Sequence, residues 1–160
     1  RQGFILGGTN DELGEASAVV LMTEDGGATW SERFRSSEAG EWGWHFEFPS
    51  RDVGYVSIEY PEGTREDAKV AKTVDGGLTW SEIVIPGSTA LQGVGFVSET
   101  TGWTSGRGTT SHTTDGGLTW TDVEVMDGSV NRFHVLNDTL AYAFGHRIYK
   151  WAPVRAEGGN

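Results

Sequence analysis

One eight-residue segment occurs three times in this chain of 160 residues. It reads TEDGGATW at 23–30, TVDGGLTW at 73–80 and TTDGGLTW at 113–120, so successive copies begin 50 and 40 residues apart. A period of about 40–50 residues is typical of proteins in which each repeat forms one small β-sheet. The repetition therefore predicts a chain built from similar sheets that follow one another.

Short strand-like runs surround each copy of the segment. The runs are rich in β-branched and aromatic residues and are separated by Gly, a pattern that favours strands. In the second unit we name the strands a to d in chain order: a at 44–48, b at 54–58, c at 69–73 and d at 79–85. Residues 48–58 align with 96–106, and weaker copies lie at 135–145 and 2–8. No helical period is visible.

The repeated units predict about fourteen strands, grouped as three, four, four and three. The first unit has no strand a, and the last has lost the eight-residue segment because Pro153 stands where its Asp would fall. We place the units at about 1–36, 41–86, 91–126 and 130–155.

The chemistry of the segment explains its repetition as architecture. Asp-Gly-Gly favours a tight hairpin, because Gly adopts positive φ at little cost and Asp accepts backbone hydrogen bonds within its own turn. Thr suits the start of strand d, and Trp offers a large ring for packing between neighbouring sheets. The residues to which we assign these structural roles are Asp25, Gly27, Thr29, Trp30, Asp75, Gly77, Thr79, Trp80, Asp115, Gly117, Thr119 and Trp120.

The segment T-x-D-x-G-x-T-W resembles the Asp-box, or BNR repeat, of sialidase-like β-propellers. The longer unit places F-x-S/N-x-x-x-G-W/Y-x-x-G before K-T-x-D-G-G-x-T-W, and it is most similar to the photosystem II stability/assembly factor family over residues 2–151. This resemblance implies an all-β fold, a β-propeller of Asp-box blades. About four blade units of four-stranded antiparallel sheet are expected, with the first and last units incomplete.

Whole members of that family usually close six or seven blades, so the edges of the first and last units need cover. Residues 1–160 are therefore one propeller domain or part of one. Three arrangements stay open: a fragment of a larger propeller, two chains that combine in a homodimeric ring, or termini that meet with residues 152–160 as a final strand. We favour a fragment or an assembly.

Charge narrows the classes of partner. The formal net charge is −11, which repels nucleic acid and anionic membrane surfaces. The apolar runs are too short to span a membrane, so no membrane insertion is expected. The chain has no Cys, which fits cytosolic and exported proteins alike. We favour an extracytoplasmic location, periplasmic or secreted.

The resemblance also implies where a ligand would bind. In such propellers the box turns lie on the face away from the ligand, strands a line the central channel, and the b-to-c and d-to-a loops form the opposite face. Three of these loops are acidic in this chain, through Asp11, Glu12, Glu15, Glu38, Glu41, Glu62, Glu66 and Asp67. They could attract a basic partner or a cation, but we favour ordinary solvated loops.

The segment EWGWHFEF at 41–48 is unlike its counterparts in the other units. Exposed Trp rings suit stacking on a sugar or clamping a peptide. The ligand-binding candidates on strands a are Trp42, Trp44, His45, Glu47, Gln92, Asn131, Arg132 and His134. The alternative, which we favour, is that these side chains simply alternate between the two faces of a sheet.

No catalytic motif accompanies the repeats. The sialidase Phe/Tyr-Arg-Ile-Pro motif is absent, since RIYK at 147–150 matches only its Arg-Ile pair, and the four His lack metal-ligand spacing. We predict no metal and no cofactor. The predicted function is a non-catalytic binding or assembly scaffold that recognises a protein or glycan on the loop face. The alternatives are a glycoside hydrolase module completed by residues outside this chain, and a purely structural spacer.

Overall fold

The computed structural model describes residues 1–12, 14–60, 67–88, 91–107, 109–126 and 130–153. In these ranges the chain forms fourteen β-strands and no helix. The strands are β1 (Gly3–Gly8), β2 (Ala18–Thr23), β3 (Ser31–Arg35), β4 (Trp42–Glu47), β5 (Gly54–Glu59), β6 (Ala68–Thr73), β7 (Ser81–Ile85), β8 (Gly93–Phe96), β9 (Gly102–Ser105), β10 (Thr110–Thr113), β11 (Thr121–Asp122), β12 (Val130–Asn137), β13 (Leu140–Gly145) and β14 (Ile148–Trp151).

The strands form four antiparallel sheets, each of which is a simple meander. Sheet 1 contains β1–β3, sheet 2 contains β4–β7, sheet 3 contains β8–β11, and sheet 4 contains β12–β14. The prediction of an all-β chain with three, four, four and three strands is confirmed. Sheet 1 consists of strands b, c and d, and sheet 4 of strands a, b and c. No helix in the described ranges is long and apolar enough to cross a membrane.

Successive sheets pack face to face, and one aromatic contact recurs between them. We call the face that each sheet turns to the next one its forward face, and the opposite face its back face. Phe4 of sheet 1 stacks on Phe48, which follows β4, with ring centroids 4.6 Å apart. Tyr55 of sheet 2 stacks on Phe96 of sheet 3 at 3.5 Å. Trp103 of sheet 3 lies 6.5 Å from Phe133 of sheet 4.

Sheet 2 is covered on both faces, and its strand b shows the effect. Tyr55, Val56, Ser57 and Ile58 are all fully buried, although their side chains alternate between the faces. Val56 and Ile58 pack with Ala18 and other residues of sheet 1. The buried run is therefore continuous rather than alternating, as expected for a strand that is sandwiched between two layers.

The box Trp residues lie on the back faces. Trp80 packs against Phe34 of the preceding sheet, with ring centroids 6.2 Å apart. Trp120 packs against the apolar cluster that contains Tyr55 of sheet 2 and Val53, which precedes β5. Trp30 differs, since 40% of it is exposed. The described chain places no sheet against the back face of sheet 1, so the packing of Trp30 between neighbouring sheets stays a prediction.

Strands a form the inner edge of this stack of sheets. β8 contacts both β4 and β12, whereas strands d have no comparable contacts with each other. The approach is close at Gly95, where an added Cβ would lie 2.4 Å from Cβ of Phe133. Side chains on β4, β8 and β12 are therefore brought together, although they are far apart in sequence.

The buried ammonium group of Lys69, on β6 of sheet 2, binds carboxylates of the segment that connects sheets 1 and 2. Lys69 Nζ donates to Glu41 at 2.9 Å, to Glu82 at 3.0 Å and to Glu38 at 3.1 Å. Burial alone would lower the pKa of Lys69, but the hydrogen bonds to Glu41, Glu82 and Glu38 outweigh burial and raise it. Glu41 is fully buried, so the interpretation of this loop as solvated is wrong for Glu41. Glu62 and Glu66 lie outside the described residues.

Candidate ligand-binding site

The three box turns satisfy their own polar groups. Asp75 Oδ1 accepts hydrogen bonds from the Thr73 hydroxyl at 2.8 Å and the Thr79 amide at 2.9 Å, and Oδ2 accepts the Thr79 hydroxyl at 2.6 Å. The Thr79 hydroxyl and amide hold the pKa of Asp75 at about 2. The boxes at Asp25 and Asp115 have the same bonds. A carboxylate engaged in this way is part of a turn.

The strand register separates the box turns from the opposite end of the sheets. In sheet 2 the box begins at Thr73, which pairs with Gly54 at the start of strand b. Strand b then runs away from the box and ends at Glu59, which pairs with Trp42 at the start of strand a. In each sheet that contains strands a and b as well as a box, the start of strand a and the end of strand b thus lie at the end of the sheet away from the box.

Three polar side chains are joined in a row at this end. Gln92 Nε2 donates to Glu59 Oε1 at 3.2 Å, and Asn131 Nδ2 donates to Gln92 Oε1 at 3.5 Å. Glu59 belongs to sheet 2, Gln92 immediately precedes sheet 3, and Asn131 lies in sheet 4. We call Glu59, Gln92 and Asn131 the polar row, and it crosses three of the four sheets.

The backbone of Gln92 fixes the middle of the polar row. Its amide donates to the Ser105 carbonyl at 3.0 Å, and its carbonyl accepts the Ser57 hydroxyl at 3.0 Å. Sheets 2 and 3 therefore both hold Gln92 in place, and its side chain is positioned before any ligand arrives.

Trp44 stands at one end of the polar row because of a β-bulge. The pairing of β4 with β5 shifts between Gly43 and His45, which leaves Trp44 as the extra residue. A bulge re-aims the side chain it carries, and 54% of Trp44 is exposed. Burial raises the pKa of Glu59, while hydrogen bonds from Gln92 and Trp44 and the charge of Arg107 oppose that rise.

His45 and Glu47 lie further along the same inner strand. His45 is half-buried, and burial, together with the positive charge of Arg132, lowers its pKa. Its backbone amide donates to the Ser57 hydroxyl at 3.1 Å. Burial raises the pKa of Glu47 to about 7, so this carboxyl is partly protonated near neutral pH.

The remaining sequence candidates are divided between this site and other surfaces. Arg132 is exposed and acts on His45 across the inner edge. Trp42 is half-buried beside Gly8 of β1. His134 pairs with Tyr142 and lies on the forward face of sheet 4. The structure thus groups Trp44, Gln92 and Asn131, and it places His134 elsewhere.

Sequence reasoning missed Glu59 and Arg107. Glu59 follows from one geometric rule: the end of strand b in one sheet lies beside the start of strand a in the next. Applied to this chain, the rule brings Glu59 next to Gln92, which was already a candidate. Arg107 would follow from the b-to-c loop of sheet 3, where it is the basic residue.

The site offers hydrogen-bond donors, acceptors and one aromatic face. Side-chain amides donate and accept at once, which suits the backbone of an extended peptide, and an exposed indole suits stacking. Among the described residues, no group of three or more His, Asp or Glu is arranged to hold a metal ion.

No known family model matches the chain, and no curated protein matches it. Solved structures do match, and among them is one described as YCF48 bound to D1 peptide. The match has a TM-score of 0.52 and 24% sequence identity, and it covers 68% of this chain and 36% of the YCF48 chain. YCF48 is a β-propeller. This chain has a β-propeller fold.

In propeller terms, sheets 1 to 4 are successive blades and strands a line the inner side. The polar row and Trp44 therefore lie at the end of the inner strands that is farther from the box turns. The matched part of this chain spans little more than a third of the YCF48 chain.

Proposed function

We propose that this chain is a non-catalytic binding scaffold that recognises a segment of another protein at the polar row. The observation that carries the proposal is the row itself: polar groups from sheets 2, 3 and 4 are joined at one end of the inner strands, with the exposed ring of Trp44 beside them. A segment lying across the row would contact three blades at once.

The chemistry of the row favours an extended peptide. The Gln92 and Asn131 amides can pair with peptide N–H and C=O groups, and Trp44 can cover an apolar side chain. Arg107 supplies positive charge near the Glu59 carboxyl, and Arg132 supplies it near His45, so both charge signs are offered to a ligand. The YCF48 structure contains a bound D1 peptide, which supports a peptide ligand for a propeller of this kind.

The first experiment selects binders from a displayed library of random peptides on the immobilised 160-residue chain. Affinities of the selected peptides are then measured by calorimetry for the wild type and for Trp44→Ala and Asn131→Ala. We expect each substitution to weaken binding by roughly tenfold or more, the loss typical of an interface residue that contributes over 1 kcal/mol. Leu118→Ala is the matched control, because Leu118 is 81% exposed in a box turn.

Three outcomes would overturn the proposal. One is selected peptides that bind equally well to the Trp44→Ala and Asn131→Ala variants, since binding would then lie elsewhere. The second is ligand turnover: hydrolysis of a glycoside that Glu59→Gln abolishes would identify a glycosidase site. The third is binding to a glycan array without peptide binding, which would make the ligand a glycan instead.

A further inference from the structure

Glu59 is a half-buried carboxylate without an ion pair among the described residues. Its hydrogen bonds come from uncharged groups, which are the Gln92 amide at 3.2 Å and the Trp44 side chain. The described ion pairs all involve other carboxylates. A carboxylate that is partly removed from water without a cation beside it is disfavoured in its charged form. Burial accordingly raises the pKa of Glu59.

The carboxylates around Lys69 show the opposite arrangement in the same sheet. Glu41, Glu82 and Glu38 accept hydrogen bonds from one ammonium group at 2.9, 3.0 and 3.1 Å. Glu41 is fully buried, and a buried charge is tolerated when it is paired and hydrogen-bonded. Compared with this cluster, Glu59 is the acidic half of an ion pair whose basic half a ligand can supply.

Trp44 lies beside the Glu59 carboxylate and adds an aromatic surface. The only donor of an indole is the N–H at the edge of the ring, so the hydrogen bond to Glu59 uses this edge. Trp44 is still 54% exposed, and an aromatic face attracts Lys and Arg side chains. A basic side chain can therefore lay its apolar stem on the ring and bring its charged head to the carboxylate.

The charges around this site are compatible with a basic ligand. Among the described residues, the cation whose charge acts on Glu59 is Arg107, which follows β9 of the next sheet. The charge of Arg132 acts on His45 instead. The chain as a whole has a net charge of −11, and a field of this sign attracts basic segments over long distances.

We propose that the segment recognised at the polar row carries a Lys or Arg side chain that lies on Trp44 and binds the Glu59 carboxylate. This inference rests on the proposed function and names the class of ligand, an extended basic segment of another protein. The Gln92 and Asn131 amides pair with the backbone of the segment. The basic side chain fixes the position of the segment along the row.

The first test examines the peptides selected from the random library on the 160-residue chain. Lys or Arg is expected to be enriched at one position relative to the unselected library. Each peptide is then synthesised with that Lys replaced by norleucine, or that Arg replaced by citrulline, which removes the charge and keeps the length of the side chain. Calorimetry is expected to show roughly tenfold weaker binding of the neutral peptide to the wild type.

A double-mutant cycle assigns the basic side chain to Glu59. The parent peptide is expected to bind Glu59→Gln roughly tenfold more weakly than the wild type, whereas the neutral peptide binds both proteins equally. Glu99→Gln is the matched control, because it removes the same charge at an exposed position. It lies at the box end, where the neighbouring Thr100 carbonyl accepts the Gly116 amide. Thermal unfolding establishes that both variants are folded.

Three results would overturn this inference and leave the peptide site intact. The first is selected peptides that require Trp44 and Asn131 but contain no enriched Lys or Arg. The second is a charge effect of equal size in the wild type and in Glu59→Gln. The third is an equal loss in Glu99→Gln, which would make the attraction a property of net charge. Peptides that bind equally well to Trp44→Ala and Asn131→Ala would overturn the proposed function as well.

Discussion

Each box turn is stabilised by hydrogen bonds between the Asp carboxylate and a few neighbouring residues. In each turn one Asp accepts hydrogen bonds from two Thr hydroxyls and a backbone amide, and the two glycines that follow have positive φ. The contacts are local, so the sequence alone was sufficient to predict the turn and the role of its Asp. The position of the Trp that ends the segment depends on the neighbouring sheet, which is why Trp30 departs from Trp80 and Trp120.

Replacement of Asp115 by Asn tests how much the negative charge of the Asp115 carboxylate contributes to stability. The Thr119 hydroxyl and amide lower the pKa of Asp115 to about 2, below its unfolded value of about 3.9. The stabilisation is therefore present above pH 4 and is lost as the pH falls towards 2. We expect Asp115→Asn to lower the Tm by a few degrees at pH 7 and to weaken the decline of stability between pH 4 and 2.

The measurement is thermal unfolding followed by circular dichroism across this pH range. Asp122→Asn is the control, because Asp122 is exposed on β11 and outside the box. An Asp115→Asn variant whose Tm falls equally at pH 7 and pH 2 would show that the charge contributes nothing.

Glu47 is a second residue whose protonation state is coupled to folding, with the opposite sign. Burial raises its pKa from an ordinary value of 4.5 to about 7, so the folded state binds more protons than the unfolded state between these values. Stability then falls as the pH rises from about 4.5 to 7. We expect Glu47→Gln to be more stable than the wild type at pH 8, by about 1 kcal/mol after allowance for solvent screening.

Urea unfolding of both proteins at pH 5 and pH 8 checks this expectation. The difference in the free energy of unfolding should be largest at pH 8 and should shrink as the pH approaches 5. A difference that is the same at both values would mean that shape rather than charge distinguishes the two side chains.

At the scale of elements, the inner strands set the spacing between blades. β8 and β12 approach closely because β8 carries Gly at positions 93 and 95, where larger residues would meet Phe133. Sheets 3 and 4 therefore share the cluster formed by Trp103, Phe133 and their apolar neighbours. The same approach brings Gln92 and Asn131 within hydrogen-bonding distance, so the packing of the strands positions the candidate site.

Gly95→Ala should disturb this packing. Its new Cβ would lie 2.4 Å from Cβ of Phe133, an atom that cannot move without its backbone, and overpacking of this kind costs about 1–3 kcal/mol. Gly7→Ala is the matched control, since nothing lies within 4 Å of the added Cβ. Denaturant midpoints measure both. Equal stability of Gly95→Ala and the wild type would show that the strands separate easily.

The elements also show where sequence reasoning ends. Strands b, c and d could be located because turns and β-branched runs are local signals, and the repeat gave their order. The polar row could not be predicted in full, because Glu59 and Gln92 meet only through the packing of one sheet on the next. The bulge at Trp44 was likewise not visible in the sequence, since the segment at 41–48 alternates without a signal for the extra residue.

For the whole molecule, the main asymmetry is between the inner and outer sheets. Among the described residues, sheets 2 and 3 are covered on both faces, whereas sheets 1 and 4 are each covered on one. Local opening exposes less apolar surface when one face is already solvated, so its free energy is lower. Cooperative units at the ends of a repeat array are accordingly the first to open.

Hydrogen exchange should therefore rank the sheets. In the 160-residue chain, amides of β5 and β9 should exchange more slowly than those of β2 and β13. Mass spectrometry of exchanged and digested protein measures the order directly. Uniform protection of all four sheets would mean that the chain opens in a single global step and that its ends are no weaker than its middle.

The inter-sheet contact has a direction, since a ring on the forward face of sheets 1, 2 and 3 meets a ring supplied by the sheet that follows. The interfaces between units are therefore interchangeable. A duplication or deletion of one whole unit in the gene would leave a forward face opposite a complementary back face at the new junction. Only one junction would have to re-form, so blade number in chains of this design can change by recombination without the gradual invention of a new interface.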